Sequence, residues 1–144
     1  MNSINKNAPV ICSRKIVINA GSRKVWSVMT NINAWATWQT DISYAKLNGE
    51  LQPGKAFDWK SKGAKIHSVL HTVEPYKQFG WSGVSFGVFA VHNWLLTEKD
   101  GQTEVLVEES MEGLLAKLFR RSFETNLTKG LTTWMELMKN ECEK

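Results

Sequence analysis

The sequence predicts an α+β fold: one antiparallel sheet curved around a single long C-terminal helix, with two short helices near the start. Three observations carry this expectation. Apolar residues recur with period two through a run of segments from Ile42 to Ser110, then with helical spacing after Gly113. Tight-turn signals separate the period-two segments, which makes neighbouring strands antiparallel. A one-sided antiparallel sheet must cover its apolar face, and the C-terminal helix is the one element large enough to do so. The two short helices then plug one end, leaving a hollow between sheet and helix.

Each element has its own signal. Ile11–Asn19 (ICSRKIVIN) is rich in β-branched residues and reads as a strand. Ser22 is placed to cap a short helix with Val25, Val28, Met29 and Ile32 on one side and Trp26 beside them. Asn33 is placed to cap a second, very short helix in which Trp35 and Trp38 share a face. Strands follow at Ile42–Leu47, Lys55–Lys60, Lys65–Val73, Gln78–Val84, Gly87–Glu98 and Thr103–Ser110. Pro53-Gly54, Glu74-Pro75 and Asp100-Gly101 punctuate them, the last as a hairpin signal. From Gly113 the chain reads as one helix of about 28 residues, roughly 40 Å long. Leu127, Leu131, Trp134 and Met138 form its buried stripe. Gly130 is its weak point, costing ~1 kcal/mol against Ala.

Composition narrows the function classes. The 144 residues make one domain, residues 1–144, with 42% hydrophobic and 22% charged side chains, an ordinary globular balance. No apolar run is long enough for a signal peptide or a membrane span, so a cytoplasmic protein is expected. The net charge of +4 is uneven. Residues 1–77 hold eleven Lys/Arg against four Asp/Glu; residues 78–144 hold seven against ten. The cations of the first half are scattered singly, without the clustered stripe or module of a nucleic-acid binder. Cys12 and Cys142 match no metal or redox spacing and read as free thiols, with a bridge between the chain ends as the alternative.

Few residues are placed to do chemistry. His67 and His71 lie four apart on a strand, roughly 13 Å from one another, too far to share a metal; no metal site and no cofactor are expected. His92 shares a strand face with Ala90, Trp94 and Leu96, which makes it an imidazole in the hollow. It reads either as a buried, satisfied histidine or as a ligand partner or general acid/base. Val105 and Val107 carry Glu109 inward by parity, leaving Glu108 with solvent. A carboxylate in an apolar hollow is costly unless paired. Counting outward from the Asp100-Gly101 turn brings residue 92 opposite residue 109. His92 and Glu109 are therefore either an acid/base dyad or a satisfied buried pair. Ser68 adds an inward hydroxyl, while Asp41 and Tyr44 lie near the opening in solvated or capping roles.

The seven tryptophans are the other feature. Trp134 lies on the helix stripe and reads as core, and Trp26 as core or partly exposed. Trp35, Trp38, Trp59, Trp81 and Trp94 lie on faces and ends that border the hollow. With Ser68, and with Phe119 and Phe123 at the start of the long helix, they are the candidate ligand contacts. The stretch NAWATWQTDI is expected to form a gate, with Trp35 or Trp38 at the entrance.

Taken in order, VWSVMTNINAWATW, FDWKSKGAKIHSVLHTVEP, FGWSG, AVHNWLL and TEVLVEESMEGLLAKLF resemble the START-like, Bet v 1-like (SRPBCC) superfamily in its bacterial polyketide cyclase/dehydrase-like branch. The resemblance covers nearly the whole chain. It implies a helix-grip fold, a curved sheet of about seven strands wrapped around the long helix, with a cavity for an apolar or aromatic, lipid- or polyketide-like molecule. Three functions stand open under it: a hydrophobic-ligand binder, a cyclase/dehydratase using His92 and Glu109, and a co-chaperone-like partner-binding module whose contact surface is the basic first half. The expected partner is a hydrophobic small molecule, with no nucleic acid and no membrane span, in a monomer or homodimer.

Overall fold

The computed structural model describes residues 2–144. Strand β1 (Val10–Ile18) is followed by helix α1 (Ser22–Thr30) and a 3₁₀ helix (Ile32–Thr37). Then come β2 (Ile42–Asn48), β3 (Ala56–Ser61), β4 (Ala64–Glu74), β5 (Gln78–Ser85), β6 (Val88–Lys99) and β7 (Gln102–Glu112). Helices α2 (Leu114–Leu118) and α3 (Arg120–Cys142) end the chain. The seven strands form one antiparallel sheet in the order β1-β7-β6-β5-β4-β3-β2.

Strands β2 to β7 are a plain meander. Three of its connections, at Lys62-Gly63, Phe86-Gly87 and Asp100-Gly101, have positive φ at both central residues, the backbone twist that suits a two-residue hairpin. Strand β1 breaks the meander, because it pairs with β7 while β2 sits on the far edge. The β1–β2 connection must therefore span the sheet, and α1 with the 3₁₀ helix makes that crossing. Register shifts by one residue at Ser43 and at His71. Each extra residue bends and twists its strand, which helps the sheet curl.

Helix α3 lies in the curl and buries Leu127, Leu131, Trp134, Met135 and Met138. Its end is tied to β1, where the Asn19 N–H donates to a Glu143 oxygen at 2.8 Å and the Lys139 Nζ donates to the Val17 carbonyl at 3.0 Å. Both cysteines are buried free thiols. Burial pushes the Cys142 thiol up to about 11.

Three local expectations are corrected. The C-terminal helix is broken at Phe119 (φ −114°, ψ 38°), so it is a short helix and a long one. No proline or glycine stands there; the break is set by packing, as α2 seats Ala116 at the ends of β6 and β7 while α3 crosses the concave face. Ser22 is the first helical residue of α1 and caps nothing. Its own N–H is taken by a Glu98 oxygen of β6 at 2.5 Å, a charge-assisted bond that does the work of a local cap. Asn33 lies inside the 3₁₀ helix, and its side-chain oxygen accepts the Leu47 N–H of β2 at 2.8 Å. In both places a tertiary partner outcompetes the local one.

Candidate functional site

A cavity of about 430 Å³ lies between the concave face and α3. It is within the range of small-molecule sites. Its space comes from small residues at inward positions. Gly83 faces Ser68 across β4 and β5; a Cβ on Gly83 would lie 2.6 Å from the Ser68 hydroxyl. Ala90 and Gly130 also border the cavity, and a Cβ on Gly130 would meet nothing within 4 Å.

The walls are aromatic. Trp59, Trp81 and Trp134 line the cavity, with Phe123, Leu127 and Leu131 completing the helix side. The Trp59 indole N–H donates to Ser68 Oγ at 3.1 Å, so both buried polar groups are satisfied in the wall. Gln39, Asp41, Ser61 and Lys62 also line the cavity, Gln39 fully buried.

One polar pair is set into this wall. His92 and Glu109 are cross-strand partners on β6 and β7, and His92 Nδ1 hydrogen-bonds to Glu109 Oε1. Glu109 lines the cavity and is 8% exposed; His92 is 2% exposed. The imidazole stacks flat on Trp81, with centroids 4.2 Å apart and planes 6° apart. Trp94 meets it edge-on at 5.0 Å. His92 Nε2 is buried without a hydrogen-bond partner among the described residues. With Nδ1 donating to the carboxylate, the neutral imidazole keeps a free lone pair at Nε2. The charged form would instead be sandwiched between the carboxylate and the π-face of Trp81.

The structure thus brings Trp59, Ser68, Trp81, Glu109 and Phe123 together around one cavity, with His92 directly behind Glu109. Four other candidates lie elsewhere. Trp35 is 1% exposed and does not border the cavity. It packs edge-on against Phe57, Trp59 and Trp134, and donates its indole N–H to the Met29 carbonyl at 2.9 Å. Trp38 follows the 3₁₀ helix and is half-buried against the core, also away from the cavity. The expected tryptophan gate is therefore absent: the 3₁₀ helix points the Trp35 ring into the core, and neither Trp35 nor Trp38 is among the residues that line the cavity. Trp94 is fully buried beneath His92. Phe119 is 57% exposed at the α2–α3 break.

Trp134 is core, as the helix stripe implied, and it also lines the cavity, which the stripe reading did not include. The signal was present: Phe123, Leu127, Gly130 and Trp134 share one helix face, and a glycine in that face marks open space. His67 is on the convex side, where its Nδ1 meets Asp58 Oδ1 at 2.7 Å and holds the Asp58 carboxyl below its usual range. A convex depression of about 610 Å³ surrounds this exposed pair, with Tyr44 and Phe86 among its walls. We place the candidate site in the concave cavity, because there three tryptophans and the apolar face of α3 surround the buried His92–Glu109 pair. Among the described residues, no three His, Cys, Asp or Glu side chains group as metal ligands. No helix among them is long and apolar enough to cross a membrane.

Seven antiparallel strands gripping a long helix define the helix-grip class of the START/Bet v 1-like superfamily. Residues 9–139 match the family described as polyketide cyclase / dehydrase and lipid transport, and the chain belongs to it. Among solved structures, a hypothetical protein of Helicobacter pylori superposes with a TM-score of 0.86 at 16% identity, covering 99% of this chain and 97% of that one. The Zhui aromatase/cyclase of a Streptomyces species gives 0.82 at 11% identity, covering 92% and 93%. A START superfamily protein of Mycobacterium smegmatis gives 0.66 at 12% identity, covering 84% and 93%. At these identities the likeness is one of fold. No curated protein matches the chain in sequence.

Proposed function

We propose that the protein binds an apolar, aromatic small molecule in the concave cavity, oriented by a hydrogen bond to Glu109. The observation that carries this reading is the pairing of tryptophan walls with the buried carboxylate of Glu109, itself held by His92. Trp59, Trp81 and Trp134 offer rigid apolar faces. Glu109 uses one oxygen on His92 and takes a hydroxyl or N–H donor with the rest of its acceptor capacity. The family's description and the aromatase/cyclase fold neighbour support an aromatic or polyketide-like ligand.

The test uses 2-naphthol and naphthalene as probes, read by quenching of tryptophan fluorescence. Wild type should bind the naphthol about tenfold or more tighter, the scale of a hydrogen bond to a charged group. In Glu109→Gln that preference should shrink while naphthalene binding stays. Gly130→Phe should remove both by filling the cavity. Failure of both probes to quench wild type would sink the binding reading; an undiminished preference in Glu109→Gln would sink only the role of Glu109.

A second reading rests on the same pair. A carboxylate on the wall with an imidazole behind it is placed for general base work. Glu109 would take a proton from a carbon between two carbonyls. The carbanion would close on a third carbonyl of the same molecule, and Glu109 would return the proton to the new alkoxide. A poly-β-ketone cyclised by wild type and left uncyclised by both Glu109→Gln and His92→Gln would favour this reading.

A further inference from the structure

Residues Gly113–Ser122 read GLLAKLFRRS. They leave β7, form α2 and begin α3. A five-residue helix has no stability of its own and is normally held by its apolar side chains. Here α2 buries only Ala116. Leu114, Leu118 and Phe119 are 70%, 64% and 57% exposed, and Leu115 is 41% exposed. Lys117, Arg120 and Arg121 stand among them, also exposed. No Asp or Glu lies between Glu112 and Glu124, and none of the described carboxylates forms an ion pair with these three cations.

A second apolar tip adjoins this segment. Phe86, in the β5–β6 turn, is the most exposed of the large apolar side chains at 73%. Its neighbour Gly87 touches Gly113: a Cβ on Gly113 would lie 2.5 Å from the Gly87 carbonyl oxygen. Phe86 has φ 49°. That turn position suits Asn, Asp or Gly, and a bulky aromatic there is disfavoured by the backbone. The turn thus carries an exposed aromatic where its backbone favours Asn, Asp or Gly.

Single exposed apolar residues are ordinary; a cluster of five is not. Its charge selects the occupant. A second copy of the chain, docked about a two-fold axis through this face, would set a patch with three unpaired cations against an identical one. Leu and Phe interleaved with cations instead match a plane that is apolar below and anionic above. The rings and Leu side chains enter the acyl boundary and the cations meet phosphates. We propose that α2, with Arg120, Arg121 and the Phe86 tip, docks on the surface of an anionic lipid bilayer. The face is continuous with the cavity rim. Phe123, one turn beyond Phe119, lines the cavity, and so do Ser85 and Val88 beside the Phe86–Gly87 turn. The docked protein would thus present its cavity to the membrane, whatever the cavity holds.

The experiment is co-sedimentation with vesicles of phosphatidylcholine alone and of phosphatidylcholine mixed with phosphatidylglycerol. Wild type should sediment with the mixed vesicles only, and less so as salt is raised. Arg120→Glu/Arg121→Glu should weaken the partition roughly tenfold or more, and Leu118→Ser/Phe119→Ser should do likewise. These side chains are exposed, so both variants should keep the wild-type circular dichroism; Phe86→Asn gives an independent variant at a different element. Absence of sedimentation with mixed vesicles overturns the proposal. So does binding that the variants leave unchanged. So too does a wild-type dimer, seen by analytical ultracentrifugation, that Leu118→Ser/Phe119→Ser splits without any vesicle binding, since a second copy would then cover the face.

Discussion

His92 and Glu109 meet because of parity and counting. A two-residue turn at Asp100-Gly101 fixes the register of β6 against β7, and no bulge interrupts the ladder between the turn and residue 92. Parity and turn chemistry are local, so this contact was legible in the sequence. The flat stacking of His92 on Trp81 was not, because it depends on how β5 lies beside β6. His71 shows the limit more sharply. It is the extra residue of the β4 irregularity, and its Nδ1 is paired with the Thr72 hydroxyl at 2.8 Å. Burial holds its pKa below the usual 6.5. The unfolded chain therefore binds the proton more readily. The contribution of His71 to stability is complete above about pH 6.5 and is lost as pH falls towards the depressed folded-state value. Urea denaturation between pH 7.5 and pH 5 should show stability declining with acid, and His71→Gln should flatten that slope. A slope unchanged by the substitution would assign the acid sensitivity to other groups.

At the scale of elements, the strands and the buried stripe of α3 follow from periodicity, while the details at helix ends do not. Both expected caps were displaced by distant partners, Glu98 for α1 and Leu47 for Asn33. A local propensity near 1 kcal/mol yields readily to a tertiary bond. Gly130 joins the two levels. Locally it is a cost to the helix; in the fold it is the place where α3 leaves room for the cavity. Because a Cβ there meets nothing within 4 Å, Gly130→Ala should raise stability by about 1 kcal/mol and Tm by a few degrees, with little change in probe binding. A loss of stability would mean the helix backbone is held by something the open space does not reveal.

The whole molecule is built on a core shared by sheet and helix. Trp134 of α3 packs against Trp35, Trp59, Trp81 and Trp94 from four other elements. Removing the helix contribution would strip these rings at once, so the chain should unfold in one step. Far-ultraviolet dichroism and tryptophan fluorescence should give coincident urea transitions; separated midpoints would mean that α3 and the sheet unfold apart. The six-stranded meander, the covering helix and the hollow were readable because they rest on repeating patterns, with three of the turns only two residues long. The sequence by itself determined which residues face inward, that one helix must cover the sheet, and that His92 and Glu109 are neighbours. Tertiary structure alone decided that β1 joins β7, that the helix breaks at Phe119, and which tryptophans wall the cavity and which lie behind it. The reason is range: side-chain parity and turn geometry act over a few residues, whereas the lining of a cavity depends on the space left between elements that meet only when the whole chain has closed.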